Sequence, residues 1–464
     1  MTWIDRALLE QIWAAAGGPP ALLQDISFRG DRVISSQYPV ADLASATVGA
    51  AGLALAEFAA TSDQRPVVAV DRGLAGAWFG SSFRPDGWKT PALWDPIAGD
   101  YRCADGWIRL HTNAPKHRIA ALRVLGIADS VDKSAERSSV ASAVVDWRGE
   151  ALESAVVAAG GCAAELRSPE AWRNHHQGMA VAHDPLVGRV FTDISSPATD
   201  PGPDTRPLLG LKVLDLTRVL AGPAATRFLA GFGAQVLRID PMDRDEVGLD
   251  IEMSLGKRCA RMDLRQHRDD LLNLVRAADV LVQGYRPGAM DRLGLGEREL
   301  HAARPGLVEV ILDAYGWSGP WRARRGFDSL VQMSSGIAFP PDGDLGNPPT
   351  PLPVQALDHA AGYLVATAAL RGLAERRRTG LGSVSRLSLS RTAMLLQDNS
   401  AAREEEPIVS VDFGGACPEQ TFWGPGHRLA GPVTVGPAEM SWSIPAAPFG
   451  SAPAAWVPTT KQPT

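Results

Sequence analysis

Asp358 heads a run of small residues, Leu357-Asp-His-Ala-Ala-Gly-Tyr-Leu-Val-Ala-Thr-Ala-Ala-Leu370. Locally, an Asp in that place is most simply the cap of the helix the run predicts. Five arginines, Arg286, Arg292, Arg322, Arg324 and Arg325, crowd two short segments. A single arginine is usually a solvated surface group. A cluster this dense suits a phosphate-bearing ligand, because guanidinium pairs with phosphate through charge-assisted hydrogen bonds. His175-His176 lacks a third ligand at useful spacing and reads as structural, so no metal site is expected. Cys103, Cys162, Cys259 and Cys417 lie far apart without a CxxC pair, which argues against a disulfide framework and a zinc finger. The chain has no GxSxG elbow, Walker A loop, HExxH or EF-hand pattern. Glycines between Leu220 and Gly233 do not form GxGxxG, so a nicotinamide-dependent reading ranks last.

These residues need a frame to hold them. The 464 residues suffice for two or three domains. With 46 basic and 52 acidic side chains the net charge is −6, which speaks against a nucleic-acid binder and makes any anion site a local affair. Leu211–Thr217 reads as a strand, Ala221-Gly-Pro-Ala224 as the turn into a helix ending near Phe232, and Ala234–Asp240 as the next strand. Further strands are expected at Ala278–Gln283 and Leu307–Leu312. The alternation predicts an α/β fold, a parallel Rossmann-like sheet covered by helices. Ligands of such sheets sit beyond the carboxyl ends of strands, so the loops after Thr217, Asp240, Gln283 and Leu312 are the places to look.

Tyr101-Arg-Cys-Ala-Asp-Gly-Trp-Ile-Arg-Leu110 predicts a hairpin on an Asp-Gly turn. The expected division is 1–90, a helical arm with a degenerate helix-strand module; 91–194, a small α+β domain; 195–207, a Pro-rich linker; 208–402, the large domain; and 403–464, an irregular Pro/Gly-rich extension. One internal echo stands out. Pro39-Val-Ala-Asp42 leads into a helix and then a strand at Val67–Val70, just as Pro353-Val-Gln-Ala-Leu-Asp358 leads into a helix and then a strand near Ser383–Leu389. The first copy lacks an obvious preceding sheet, and Asp42 is expected to cap its helix. Ala41–Ala60 contains Asp42 and Glu57 and reads as a buried helix, not a membrane span. With no signal-peptide core at Met1-Thr-Trp-Ile-Asp-Arg6, a cytoplasmic protein is expected.

Four blocks, in order, resemble one family. They are Val213–Pro223; Ala278–Gly288 followed by Met290–Leu295; Tyr315–Asp328; and Leu357–Leu370 continuing to Gly382. Together they resemble the family III CoA-transferases, the formyl-CoA and carnitine CoA-transferase group. The resemblance implies that Asp358 is the nucleophile and that coenzyme A and acyl-CoA are substrates, with no permanently bound cofactor. It also implies that Val219, Leu220, Gly284, Tyr285, Arg292 and Arg325 contact CoA, and that 208–402 is the CoA-binding domain. Gly284 stands where the family often has Asn, removing a side-chain donor. The expected partners are an acyl-CoA and a free carboxylic acid, and the expected assembly is a homodimer, possibly interlocked. The small domain precedes the sheet here, against the usual family order, so the chain resembles a permuted or tandem-derived member. The related α-methylacyl-CoA racemases need a His in a Gly-His-Asp segment; Phe327 occupies that place, and phenylalanine is no base. Transfer is therefore favoured, with a racemase or epimerase acting on acyl-CoA and a non-catalytic CoA-binding subunit as the two alternatives.

Overall fold

The computed structural model describes residues 4–61, 65–128, 133–195, 200–243, 248–400 and 415–458. Its largest sheet has seven strands, ordered Lys257–Arg261, Gln235–Asp240, Lys212–Leu216, Val280–Gln283, Val308–Asp313, Leu381–Ser388 and Gly188–Ser195. The first six run parallel and the last is antiparallel. Every residue of Val280–Gln283 and Val308–Asp313 is buried, as a sheet covered on both faces requires. The α/β expectation is met, with strand ends within two residues of those read from the sequence. Lys257–Arg261 was not anticipated, because three of its five residues are cationic. Lys257 is nevertheless buried, its Nζ lying 3.1 Å from Asp215 Oδ2.

The echo is more complete than the sequence suggested. Ile26–Arg29 pairs in parallel with Val68–Asp71, the helix Val40–Ala59 connects them, and the helix Arg72–Gly80 follows. The same strand-helix-strand-helix order recurs as Val308–Asp313, Ala356–Thr379, Leu381–Ser388 and Leu389–Asp398, with one extra helix, Asp328–Ser335, inserted. The two long helices begin alike. Pro39 has φ −74° and ψ 59°; Gln355 has φ −76° and ψ 66°. In both, the first helical N–H donates two residues back, Val40 to Tyr38 at 2.7 Å and Ala356 to Val354 at 2.8 Å. The two helices then pack against each other inside one shared core, and Arg371 on one ion-pairs with Glu57 on the other. By length and composition Val40–Ala59 could cross a membrane, but 94% of its most apolar window is buried within the protein.

The C-terminal tail departs from the irregular extension expected of it. Val433–Val435 adds antiparallel to Val68–Asp71, and Pro425–Arg428 pairs with Phe83–Pro85, so the tail completes sheets begun by the N-terminal module. Residues 401–414 and part of the expected linker, 196–199, fall outside the described residues. The hairpin is present as Gly99–Cys103 and Gly106–Leu110, joined by Ala163–Glu165. This small sheet packs across the C-terminal half: Cys162, Ala164 and Leu166 form one cluster with Leu330, Met333 and Ala338.

Candidate active site

Asp358 is the third residue of its helix, and Gln355 occupies the cap position without a side-chain bond. The capping reading is therefore wrong. The helix-end N–H groups are taken by another carboxylate, Asp328, at the start of the inserted helix. Its Oδ2 accepts from Asp358 N at 2.9 Å and its Oδ1 from Gln332 Nε2 at 2.5 Å. Gln332 Oε1 in turn accepts from Leu352 N at 2.8 Å. The Asp358 carboxyl receives no hydrogen bond or ion pair from the described residues. Burial, and then the charge of Asp328, push its pKa well above the ordinary carboxylate range. The helix-end donors that could hold Asp358 as an anion serve Asp328 instead. Burial raises Asp328 as well, to about 6, against the lowering effect of Gln332 and the backbone donors.

Asp358 lies where two cavities meet. The first, about 350 Å³, opens at the carboxyl ends of the strands and is lined by Thr217–Val219, Gly284–Arg286, Asp313 and Arg325. Of the expected CoA contacts, Val219, Gly284, Tyr285 and Arg325 line this cavity, whereas Leu220 lines the second one. Arg292 is not among the lining residues, but its charge reaches Arg286, whose pKa is lowered by burial and then by Arg325 and Arg292. Mutually repelling guanidiniums at a cavity rim form a site for an anion. Arg324 is otherwise engaged, paired with Glu153 at 2.8 Å and stacked on Trp321 at 3.9 Å.

The second cavity, about 410 Å³, is apolar, walled by Trp78, Phe79, Phe83, Leu220, Ile251 and Val354. Between the two stands Val219, the one non-glycine residue with positive φ (63°) among the described residues. A β-branched side chain in that region is strained, and such strain persists only where neighbours hold it. Two residues earlier, at Thr217, the same turn is fixed by Asp215, fully buried, which accepts from Thr217 N at 2.9 Å and is paired with Lys257. The Asp358 helix can approach this turn because residue 362 is glycine. A Cβ there would lie 2.5 Å from Ala221 O.

Several lining residues went unread in the sequence. Lys116 and His117, at the start of a small-domain helix, close the first cavity, while Trp78 and Phe79 wall the second. All belong to the N-terminal half, hundreds of residues from Asp358. The available signals were the echo, which makes Arg72–Gly80 the counterpart of Leu389–Asp398, and the hairpin, which puts Lys116-His117 just beyond a small-domain strand.

His359 is buried and stacked on Phe79 at 5.2 Å, and burial drops its pKa to about 3, so it is a neutral imidazole and a weak base. Phe327 lies flat against His111, 3.7 Å between ring centroids. His175 caps a helix, its Nδ1 accepting from Gln177 N at 3.0 Å. Asp42 corrects a second capping expectation. It is fully buried, Pro39 holds the cap position, and its Oδ1 accepts from Arg32 Nε at 2.9 Å.

Residues 208–418 match the model of a family described as CoA-transferase family III. An acyl-CoA transferase of Gibberella moniliformis is 28% identical over 441 residues, covering 84% of this chain and 76% of its own. A probable fatty acyl-CoA transferase of Mycobacterium tuberculosis is 33% identical over 211 residues, covering 42% of this chain and 53% of its own. A crystal structure of Rv3272 from M. tuberculosis, 30% identical, covers 44% of this chain and 59% of that one, with a TM-score of 0.38. The chain thus spans three quarters of the first relative and little more than half of the others. The long match with the Gibberella protein takes in residues well beyond the family segment.

Proposed function

From the match of residues 208–418 to CoA-transferase family III, we propose that the chain is a member of that family and moves CoA from an acyl-CoA thioester to a free carboxylic acid with Asp358 as nucleophile. One observation carries the reading: a buried carboxyl with no cation or donor of its own among the described residues, placed between a cavity rimmed by arginines and an apolar one. CoA suits the first, its phosphates meeting Arg218, Arg286 and Arg325. The acyl group suits the second.

In the first step, an oxygen of ionised Asp358 attacks the thioester carbonyl, the C–S bond breaks, and CoA leaves as thiolate, giving an acyl-aspartyl anhydride. The thiolate returns to the aspartyl carbonyl, releasing the first acid as its carboxylate and leaving an aspartyl-CoA thioester. The second acid attacks that thioester and expels the thiolate, which then attacks the new acyl carbonyl. The new acyl-CoA departs and the Asp358 carboxylate is restored. No proton is gained or lost overall, so no general acid or base is required, and no permanent cofactor either. The raised pKa makes the ionised carboxylate more basic than an ordinary Asp, which favours attack once its proton has left.

Both cavities draw walls from residues before and after the 195–207 segment, so one chain completes its own site in this reading. A homodimer would then be an association of already complete units.

The test is chemical trapping. Incubated with an acyl-CoA and hydroxylamine, the protein should lose exchange activity as Asp358 gains the mass of a hydroxamate. Labelling and activity that persist in Asp358→Asn would sink the assignment. Tight CoA binding with no exchange for any donor would instead leave a CoA-binding subunit.

A further inference from the structure

We infer that the second cavity selects apolar acids of medium length, straight-chain or aryl-substituted, and rejects dicarboxylates. This rests on the transferase reading only in taking Asp358 as the point where acyl groups enter.

The argument starts from charge. Among the described residues lining this cavity Arg227 is the sole arginine or lysine, and its Nη1 is taken up by Glu252. Its Nη1 lies 2.7 Å from Glu252 Oε2, and its guanidinium sits over the Trp78 ring at 4.4 Å. Glu252 is held by more than Arg227: Arg428 lies 3.2 Å away, Ser82 Oγ donates to it at 2.6 Å, and Phe83 N at 3.0 Å. These partners outweigh burial and drive its pKa down to about 2, so it is a permanent anion. A second carboxylate on a substrate would therefore meet a neutralised guanidinium and a fixed negative charge. His359 cannot help, being neutral with a pKa of about 3. The amide of Asn113 is spent on the backbone, accepting from Asp95 N and donating to Leu93 O, each at 3.0 Å. Burying a carboxylate against such a wall costs far more than burying a methyl group.

Size comes next. The cavity measures about 410 Å³; at roughly 30 Å³ for each water-sized group it accommodates on the order of a dozen heavy atoms. That suits chains of about six to ten carbons, or a phenylalkyl group against Trp78, Phe79 and Phe83. Because donor and acceptor acids are attached to Asp358 in turn, both pass through this one cavity.

The test is a panel of CoA thioesters on the intact protein. Each methylene transferred to an apolar wall is worth about a fourfold factor. We expect kcat/KM to climb by about that factor per methylene from butyryl-CoA to octanoyl-CoA, then level off. Succinyl-CoA, which is butyryl-CoA with a carboxylate in place of the terminal methyl, should fall at least a hundredfold below it. Leu249→Trp and, independently, Val354→Trp should cut octanoyl-CoA turnover at least tenfold more than butyryl-CoA turnover. A flat chain-length series, or succinyl-CoA matching butyryl-CoA, overturns the inference while leaving the transferase intact. Calorimetry without acceptor acid separates the opposite case. If no thioester exchanges CoA, yet octanoyl-CoA binds at least tenfold tighter than succinyl-CoA, the transferase reading falls and the cavity assignment stands. Equal affinities would remove the cavity assignment too.

Discussion

The helices Val40–Ala59 and Ala356–Thr379 enter through the same backbone geometry and carry an Asp at the same third position, yet their carboxyls meet opposite surroundings. Arg32 reaches back from the short connection before the first helix and neutralises Asp42. Before the second helix the connection is longer and folds into Asp328–Ser335, which brings a carboxylate to the helix end instead of a cation. One site is thereby sealed as a buried ion pair. The other keeps a carboxyl that burial and a like charge make uncomfortable, and two cavities give access to it. Equal backbones do not make equal sites; what the preceding loop delivers decides.

The comparison can be broken by experiment. The largest expected effect is at Asp358 itself. Asp358→Asn should lower CoA exchange on the order of a thousandfold or more, measured by kcat; Asp42→Asn should leave exchange in the folded protein near that of the native chain. Stability should move the other way. Asp358 has its folded-state pKa above the ordinary value of 3.8, so its burial carries no penalty below that pH, and the penalty grows as pH rises and the proton must leave. Asp358→Asn should therefore raise Tm at pH 8 and not at pH 4. A variant that loses stability at pH 8 would contradict the unsatisfied carboxyl described here.

Next in size is the sealed pair. Arg32→Ala strands Asp42 in the core and should cost about 3–5 kcal/mol in denaturant unfolding, much of it recovered by the double variant Arg32→Met/Asp42→Leu. If the single change costs under about 1 kcal/mol, the pair is not the structural element it is taken for. Smaller again, Arg325→Ala should raise KM for acyl-CoA about tenfold, the worth of one charge-assisted bond to phosphate. The subtlest test is Asp328→Asn. Asn can still accept from Asp358 N, but the like charge is gone, so the acid limb of the pH–rate profile should move to lower pH. An unmoved limb would leave burial alone responsible for the raised Asp358 pKa.

Much of the sheet was legible because its strands are apolar runs separated by helical spacing, a pattern set locally. Where a strand's cations are paired inside the fold, as Lys257 is with Asp215, local pattern misleads. The same failure produced the capping expectation for Asp42 and the purely local capping reading of Asp358. An Asp near a helix start normally caps it, and only the side chains brought in by other segments, Arg32 in one case and Asp328 in the other, show that neither does. The arginine cluster was visible, but the sequence could not separate Arg325, on the cavity wall, from Arg292 off it or Arg324 tied to Glu153.

The sequence by itself determined the parallel sheet, the loop that carries Val219, the identity of Asp358 and its place near a helix start, and the doubling of the Asp-helix-strand module, since each depends on residues close together in the chain. Tertiary structure alone decided that the N-terminal copy would supply aromatic walls instead of a second carboxyl open to a cavity. It decided as well which of two carboxyls would be charge-balanced, because balance depends on partners whose distance in space bears no relation to their distance along the chain.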